Sequence, residues 1–462
     1  MRLADLAGRR VAIWGFGREG RAALRVLEKH LPGLPITVFC SVEEARARIP
    51  STAMMITVAP DAGALSDFDI VIKSPGISAY RTELLDAERR GTRFTSGTAL
   101  WFGEHPEARV VAVTGTKGKS TVSALIAHLL RALGRRTALA GNIGLPLLEL
   151  LAPVQVPDYW IIELSSFQTR DAGRVEIGVV TNLEEEHLDW HGSRERYIAD
   201  KLALAAHVGT LVVNAQQPAV ISRIETDFVA AGRKLPIVQT FGSNPGWHVR
   251  AGAVCRNEKQ VFMIDASPLP GPHNALNLCA ALSAIEAAGE NALAAAPHIA
   301  SFTPLPHRLQ TLGERDGLVW IDDSIATTPR ASLEALASLP DRQRATLLVG
   351  GHDRGLDWTG FADAVRGMPP HAIVTMGASG SRIATFLECR EPPPFALERC
   401  ATLADAVAIA RELSDPGGTV LLSPGAPSFD AFRDYAQRGR AFASLAGFDG
   451  DAIGEVQGLG IA

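Results

Sequence analysis

Apolar runs along the chain are short and rich in β-branched residues, and segments of helical periodicity separate them. Such runs fit strands buried on both faces, and strands that alternate with helices are typical of parallel α/β sheets. The predicted strands fall into three successive series. The first is Val11–Trp14, Ile36–Phe39 and Ile70–Ile72; the second is Val110–Val113, Trp160–Glu163, Ile177–Thr181 and Leu211–Asn214; the third is Val319–Asp322, Ala345–Gly350, Ala372–Met376 and Thr419–Ser423.

Helices are predicted between these strands. The clearest has apolar residues at helical spacing from Val122 to Leu133 and ends before Gly134, as at a C-cap. The others lie near Arg21–Leu27 and at Arg330–Leu339, Ala404–Leu413 and Asp430–Arg440. The first series closes near residue 105, and two prolines mark a boundary near Pro304–His307. We therefore predict an α/β protein of three domains, residues 1–108, 109–307 and 308–462.

Composition narrows the class of protein. A chain of 462 residues, 47% of them hydrophobic and 21% charged, can bury several cores without disulfides or metal. The net charge of −5 argues against a nucleic-acid partner. The five cysteines form no CxxC pair, which indicates reduced thiols and no zinc site. We find no signal peptide and no apolar run long enough to span a membrane, so we expect a soluble, cytoplasmic monomer.

The first glycine-rich turn, Gly15–Gly20, reads GFGREG and directly follows a predicted strand. Glycines at this spacing let backbone N–H groups approach a diphosphate at a helix N-terminus. A nicotinamide-binding unit usually has an acid at the end of its second strand, but here that strand ends in Phe39-Cys40-Ser41, and Glu43 and Glu44 come later. The turn is compatible with NAD, with another nucleotide or with a structural role, and the missing acid favours a different diphosphate.

A phosphate loop is predicted at Thr114–Thr121, which reads TGTKGKST between a strand and an amphipathic helix. Its glycines permit N–H groups to converge on phosphate oxygens, Lys119 can reach the terminal phosphates, and the Ser120 hydroxyl can bind Mg²⁺. The full Walker pattern would have glycine at position 113, where this chain has Val113. A structural turn is the alternative, but the strand before and the helix after favour a nucleotide.

A carboxylate and an imidazole follow two strands of the second series. Glu163 closes one strand, and His187 follows another within the acidic run 184–189. Both are expected at the carboxyl edge of the sheet beside the phosphate loop, where they suit an Mg²⁺ ion. Taken singly, Glu163 could cap a helix and His187 could be a surface histidine.

Seven segments in order along the chain resemble those of the Mur ligases: TGTKGKST at 114–121, GNIGLP at 141–146, ELSSFQ at 163–168, NLEEEHLDWHG at 182–192, PHNALN at 272–277, LPHR at 305–308 and LLSPGAPSFDAF at 421–432. Within that family, the set is similar to the members that join glutamate to UDP-N-acetylmuramoyl-L-alanine. The resemblance implies a Rossmann-like UDP-substrate domain, a central phosphate-loop ATPase domain with a mostly parallel sheet, and a Rossmann-like, mobile domain for glutamate.

The resemblance also implies the residues of each site. UDP-substrate contacts are expected from Gly15, Phe16, Gly17, Arg18, Ser41, Ser74, Gly76, Asn142, Ser165 and His187. ATP contacts are expected from Gly115, Thr116, Lys117, Gly118, Lys119, Ser120, Thr121, Asn274, Asn277, Arg308 and Asp323. The catalytic set is Lys119, Glu163, His187 and Lys201, and the Mg²⁺ ligands are Ser120, Glu163, His187 and Lys201. Lys201 matches a lysine that this family carbamylates, although its own pattern indicates a solvated helix residue.

The incoming amino acid is expected at Thr327, Arg354, Ser428 and Tyr435. Ligases of this kind that add D-glutamate usually read DSKATN where this chain has DSIATT at 323–328, so Ile325 replaces an ammonium group. This segment, with VFCS at 38–41 and GGHDRGLDW at 350–358, looks like the variant that adds L-glutamate. We therefore expect L-glutamate, with D-glutamate as the alternative.

The expected reaction uses ATP and Mg²⁺ to activate the alanine carboxylate as an acyl-phosphate, which the glutamate amine then attacks. Phosphoryl transfer requires mainly positioning and neutralisation of charge. Two other classes of protein share single motifs with this chain: NAD-dependent dehydrogenases share the first glycine-rich turn, and phosphate-loop NTPase switches share the second.

Overall fold

The computed structural model describes residues 1–46, 51–184, 188–269, 271–389, 392–454 and 456–462. Over these ranges the strands form three sheets of five, ten and six strands. The chain groups into two compact units. The first comprises Met1–Pro268, His273–Phe302 and Gly458–Ala462, and the second comprises Leu269–Pro272 and Thr303–Gln457. The predicted α/β class is confirmed, and the exact domain bounds stay a prediction.

The N-terminal part of the first unit is a parallel sheet with helices on its faces. Its strands are β1 (Val11–Trp14), β2 (Ile36–Phe39), β3 (Met54–Ile56), β4 (Ile70–Lys73) and β5 (Arg93–Thr95), in the order β3-β2-β1-β4-β5. Its helices are α1 (Arg18–His30), α2 (Val42–Arg46), α3 (Ala62–Ser66), α4 (Thr82–Arg89) and α5 (Gly97–Glu104). Because β1 pairs with β2 on one side and β4 on the other, the strand order reverses there, which is where such sheets bind ligands.

The central sheet is parallel around β6 and has antiparallel strands at both ends. Its ten strands in the described ranges are β6 (Val110–Thr114), β7 (Thr137–Gly141), β8 (Tyr159–Glu163), β9 (Val175–Val180), β10 (Val208–Asn214), β11 (Ile237–Phe241), β12 (Trp247–Arg250), β13 (Ala253–Arg256), β14 (Lys259–Met263) and, from the end of the chain, β21 (Gly460–Ile461). The helices are α6 (Lys119–Ala132), α7 (Leu188–His191), α8 (Arg194–Leu202), α9 (Pro218–Ala230), α10 (Pro272–Ala287) and α11 (Ala292–Ala295). Strand β6 lies between β8 and β9, so the strand order also reverses at the phosphate loop.

The second unit is built on the third sheet. Its strands are β15 (Gln310–Arg315), β16 (Leu318–Asp322), β17 (Ala345–Gly350), β18 (Ala372–Met376), β19 (Ala396–Arg399) and β20 (Thr419–Leu422), in the order β15-β16-β20-β17-β18-β19. The helices are α12 (Pro329–Ala337), α13 (Thr359–Gly367), α14 (Gly377–Glu388), α15 (Leu403–Leu413) and α16 (Tyr435–Leu445). Apolar clusters cover both faces of this sheet, which explains why its strands read as unbroken apolar runs.

The predicted elements are present within a few residues apart from the start of one helix, and several further strands were not predicted. The helix expected at Asp430–Arg440 is wrong at its start, because α16 begins at Tyr435, where Asp434 accepts the N–H of Gln437 as an N-cap. Strands β3, β5, β7, β11 and β19, the antiparallel strands β12 to β15 and the final strand β21 (Gly460–Ile461) were not predicted. Strand β21 pairs with the edge strand β7, and it is too short to give a sequence signal.

In the described part of the chain, none of the helices combines the length and the apolar character that crossing a bilayer requires.

Candidate active site

A cleft of about 830 Å³ opens at the point where the strand order of the first sheet reverses. Its walls come from the loops that follow β1, β2, β3 and β4, together with the loop after β7 and residues after β8. The expected sugar-nucleotide residues that line it are Gly15, Gly17, Arg18, Ser41, Ser74, Gly76 and Asn142. The cleft is therefore shared by the first sheet and the central sheet.

Two expected sugar-nucleotide residues do not line the cleft, and a third cannot be located. The Phe16 side chain is fully buried in the core, so a ligand would contact the backbone of this residue and not its side chain. Ser165 does not line the cleft; its hydroxyl donates to Gln168 Oε1 at 2.8 Å, and Gln168 is a lining residue. His187 lies outside the described residues.

Two carboxylates that the sequence analysis did not assign also line this cleft. Glu44 accepts the N–H groups of Phe16 at 3.0 Å and Ser41 at 2.9 Å, so it lies at the N-terminal end of α1. Burial raises the pKa of Glu19 to about 7, with Arg18 opposing and Glu149 reinforcing the shift. Glu19 lies in a glycine-rich turn, where a glutamate is easily taken for a solvated residue, and its burial depends on the packing of α1, which the sequence does not show.

The phosphate loop is folded as the sequence predicts. Gly118 is the N-cap of α6 with a left-handed backbone, φ 79°, and a side chain there would overlap Asn277. A side chain at Gly115, φ 143°, would overlap the Thr181 hydroxyl. The Lys119 ammonium donates to the Thr116 carbonyl at 2.9 Å. A helix N-terminus at the reversal point of a parallel sheet binds phosphate.

Residues from two other helices, α10 and α8, lie against this loop. Asn277 donates to Asn274 Oδ1 at 3.0 Å on α10; both side chains are buried, and Asn277 lies beside Gly118 of the loop. On α8, the Lys201 ammonium donates to the Gly115 carbonyl at 2.6 Å and is 2% exposed. The pattern that indicated a solvated lysine was therefore wrong, because one face of α8 packs against the phosphate loop.

Glu163 joins the phosphate loop to the cleft. It ends β8 beside Val113 on β6, and it is 1% exposed. The Asn142 amide donates to Glu163 Oε1 at 2.7 Å, whereas Oε2 is buried without a hydrogen-bond partner. An unpartnered buried carboxylate oxygen is costly unless it binds a cation. The unpartnered oxygen of Glu163 therefore fits one ligand of a cation such as magnesium, although among the described residues no three His, Cys, Asp or Glu side chains converge.

The second unit places Asp323 at the carboxyl end of β16. Burial raises the pKa of Asp323 to about 7, although the Ser423 hydroxyl donates to it at 2.7 Å and the Leu309 N–H at 3.2 Å. Arg308, which precedes Leu309, opposes the shift electrostatically. The expected nucleotide contacts Arg308 and Asp323 are thus close to each other.

The expected glutamate residues Thr327, Arg354 and Ser428 follow β16, β17 and β20, which are neighbours in the third sheet. Ser428 is buried and Arg354 is exposed. Tyr435 begins α16 and is 38% exposed. Half-buried Ile325 lies in the loop after β16.

Arg438 joins two of these loops and was missed by the sequence analysis. It is 1% exposed and donates to the Ser324 hydroxyl and carbonyl, to the Ala426 carbonyl and to the Pro427 carbonyl, at 2.8 to 3.2 Å. Desolvation lowers the pKa of this guanidinium to about 10. In the sequence it looks like one more polar position of an amphipathic helix.

Two family models match the chain. The Mur ligase middle domain matches residues 113–285, and the Mur ligase glutamate ligase domain matches residues 307–425. The first match covers the phosphate loop, Glu163, Lys201 and most of α10. The second covers Asp323 and the loops after β16 and β17, and it ends at residue 425, before Ser428.

Curated relatives match along the full length. A UDP-N-acetylmuramoyl-L-alanine–L-glutamate ligase of Xanthomonas euvesicatoria is 52% identical over 100% of both chains. One of Xylella fastidiosa is 48% identical over 100% of both, and one of Salinispora tropica is 38% identical over 96% of this chain and 98% of its own.

Solved structures share the fold at low identity. The UDP-N-acetylmuramate-alanine ligase MurC of Thermotoga maritima has a TM-score of 0.60 at 18% identity, over 94% of this chain and 98% of its own. The MurF ligase of the same organism, solved with ADP, has a TM-score of 0.57 at 14% identity, over 98% of this chain and 97% of its own.

Proposed function

This chain belongs to the Mur ligase family, and from that membership we propose that it joins L-glutamate to UDP-N-acetylmuramoyl-L-alanine at the expense of ATP. The observation that supports this most is the position of Glu163. Its carboxylate bonds Asn142, which lines the sugar-nucleotide cleft, and its strand lies beside the strand that leads into the phosphate loop. A carboxylate held in that cleft can therefore meet a γ-phosphate held by the loop.

We propose that the first step transfers the γ-phosphoryl group of ATP to an oxygen of the alanine carboxylate, which gives an acyl-phosphate and ADP. The phosphate loop binds the triphosphate, and Lys119 neutralises charge on it. The glutamate amine then attacks the acyl carbon, an amide bond forms, phosphate leaves, and one proton is lost from the nitrogen. Positioning of the two reactants is the main contribution that the protein makes.

Magnesium is expected to be held by Ser120, Glu163 and Lys201, the last as a carbamate; His187, the fourth expected ligand, lies outside the described residues. The unpartnered Glu163 oxygen and the placement of Lys201 against Gly115 support this assignment. Bound there, magnesium supplies positive charge that stabilises the transferring phosphoryl group. Asn274 and Asn277 are proposed to contact the adenine, and Arg308 and Asp323 to contact the nucleotide.

The choice of L-glutamate rests on Ile325 and on the names of the relatives. An aliphatic side chain at this position cannot form the ion pair that an ammonium group offers, so the pocket differs from that expected for D-glutamate. The curated relatives at 52%, 48% and 38% identity are named for L-glutamate. Thr327, Arg354, Ser428 and Tyr435 remain the proposed glutamate contacts.

The test supplies ATP, Mg²⁺ and UDP-N-acetylmuramoyl-L-alanine with each glutamate enantiomer in turn, and detects the new amide by mass spectrometry together with released phosphate. We expect product with L-glutamate and little with D-glutamate. Product with D-glutamate alone would overturn the stereochemical choice. Phosphate release without any amide would overturn the ligase assignment. Trapping the activated carboxylate with hydroxylamine tests the acyl-phosphate, because a hydroxamate forms only if the carboxylate is activated.

A further inference from the structure

A buried carboxylate, Asp200, connects the first sheet with the central sheet inside the first unit. Asp200 is 1% exposed and precedes Lys201 on α8. The Tyr80 hydroxyl, which comes from the loop after β4, donates to both Asp200 oxygens at 2.9 Å. Arg170 forms an ion pair with the same carboxylate. A carboxylate so deeply buried is retained only when several donors satisfy it, as they do here.

The Asp200 carboxylate contacts a histidine, and that histidine in turn contacts a serine. His191 Nδ1 is 2.6 Å from Asp200 Oδ2, and His191 Nε2 is 3.0 Å from the Ser166 hydroxyl. This order of groups is that of a hydrolytic triad. However, Ser166 is 3% exposed and does not line the cleft, so no substrate carbonyl can reach it. The series Asp200, His191 and Ser166 is therefore a structural relay, which fixes the loop after β8.

One end of this relay contacts the loops that line the sugar-nucleotide cleft. The indole of Trp190 donates to the carbonyl of Pro75 at 3.1 Å, and the Ser78 hydroxyl donates to the Trp190 carbonyl at 2.6 Å. Phe167 stacks on Trp190 with ring centroids 4.5 Å apart. Pro75 and Phe167 both line the cleft. The position of the cleft loops is thus tied to α7, on which Trp190 and His191 are neighbours.

The other end reaches the phosphate loop. The Thr169 hydroxyl donates to the Asp200 carbonyl, which fixes this turn of α8. Lys201, the next residue, donates to the Gly115 carbonyl at 2.6 Å. The Tyr80 hydroxyl is therefore connected to the start of the phosphate loop by its hydrogen bonds to Asp200, by the backbone from Asp200 to Lys201, and by the hydrogen bond from Lys201 to Gly115.

We propose that Tyr80, His191 and Asp200 are positioning residues for the ligation reaction, which align the sugar-nucleotide cleft with the phosphate loop and Lys201. The inference rests on the proposed function. None of the three side chains lines the cleft. They act through Pro75, Phe167 and Lys201, so their loss should disturb the distance between the two bound reactants more than the binding of either one.

The test compares Tyr80→Phe and Asp200→Asn with the wild-type protein. We measure kcat with saturating substrates, and the calorimetric Kd of the sugar nucleotide and of a non-hydrolysable ATP analogue, each alone. The sugar-nucleotide titration contains no nucleotide triphosphate and no metal. We expect kcat to fall by about 10- to 100-fold, because misplacement on the order of 1 Å has such an effect, while each Kd stays within about threefold.

Tyr159→Phe is the matched control. The Tyr159 hydroxyl also donates to a carboxylate, that of Glu290, at 2.9 Å. Tyr159, however, is the first residue of β8, at the opposite end of the strand from Glu163. The control should lose thermal stability as Tyr80→Phe does and keep the wild-type kcat. Should Asp200→Asn fail to fold, the kcat of Tyr80→Phe alone tests the inference, because this substitution removes a single oxygen atom and is the milder of the two.

Two results would overturn the inference. The first is a wild-type kcat in Tyr80→Phe. The second is a loss of kcat that is matched by an equal loss of sugar-nucleotide affinity, because the residues would then serve the cleft alone. Neither result affects the proposed function, which fails instead if the wild-type protein makes no amide.

Discussion

The Asn142 amide donates to Glu163 Oε1 at 2.7 Å and leaves Glu163 Oε2 buried without a partner. This one contact defines the geometry of the site, because Asn142 follows β7 and lines the cleft, whereas Glu163 ends β8 beside the strand of the phosphate loop. The hydrogen bond orients the carboxylate and keeps one oxygen available. A buried oxygen in that state is stable only if a cation or a donor approaches it.

Glu163→Gln tests whether that oxygen binds the metal. Glutamine has the same shape and can still accept from Asn142 through its own oxygen, but it lacks the charge. We expect ligation to fall by about 100-fold or more, as for other losses of one electrostatic group in an active site, and Mn²⁺ binding measured by electron paramagnetic resonance to weaken. Glu176→Gln is the control, because Glu176 forms a surface ion pair with Arg109. This variant should keep the wild-type rate of ligation and the wild-type affinity for Mn²⁺. Unchanged Mn²⁺ binding in Glu163→Gln would refute the assignment.

Lys119→Ala tests the phosphate loop. Removal of the ammonium group takes away a positive charge from the expected β,γ-phosphate position, and we expect amide formation to fall by about 100-fold or more, equivalent to about 3 kcal/mol. Lys259→Ala, on the exposed strand β14, should behave as the wild-type protein. Substantial ligation by Lys119→Ala under saturating ATP would contradict the role of the loop.

The sequence predicts those parts of the site that local pattern encodes. A strand, two glycines and Lys-Ser-Thr at a helix start define the phosphate loop, and the fold places each where expected. Glu163 could be placed at the sheet edge for the same reason. Lys201 could not, because its burial depends on the packing of α8 against Gly115, which lies 86 positions away in the chain.

The remaining misses have a similar cause. Tyr80 and Asp200 are 120 positions apart, and Arg438 and Ser324 are 114 apart, so no local periodicity relates them. Strand β21 forms only because β7 offers an open edge. Each of these features depends on tertiary packing. The resemblance to a family predicts only residues that lie within the family motifs, and these features lie outside that prediction.

Glu19→Gln tests the charge in the cleft. Burial raises the pKa of Glu19 to about 7, so this group is largely protonated at pH 6 and ionised at pH 8. An ionised Glu19 repels the diphosphate, hence sugar-nucleotide affinity should fall as pH rises through about 7. We expect a loss of about tenfold, or about 1.4 kcal/mol, by calorimetry between about pH 6 and 8. The glutamine variant should lose this dependence, while Glu43→Gln, exposed on α2, should retain it. A flat wild-type profile would contradict the prediction.

Ile325→Lys tests the specificity of the glutamate pocket. The substitution restores the ammonium group expected in ligases that use D-glutamate, and it places a charge in the half-buried loop after β16. We expect kcat/KM for L-glutamate to fall by about tenfold or more, corresponding to about 1.4 kcal/mol. Ile325→Leu keeps the apolar character and should change it little. Equal use of L-glutamate by both variants would show that this position does not select the substrate.

Arg438→Lys tests whether the glutamate loops are held together by one side chain. The guanidinium donates to Ser324 in the loop after β16 and to Ala426 and Pro427 in the loop after β20. Lysine keeps the charge but has a single nitrogen, so at least one buried carbonyl loses its donor, which costs about 1 to 3 kcal/mol.

Arg438→Lys should therefore lower the free energy of unfolding in urea by about 2 kcal/mol and raise the KM for glutamate, whereas the KM for the sugar nucleotide should not change. Arg440→Lys is the matched control on the same helix, because it donates to the Ile453 carbonyl, away from both loops. If the two variants lose stability equally and neither changes the KM for glutamate, Arg438 supports the fold of the second unit without shaping the amino-acid site.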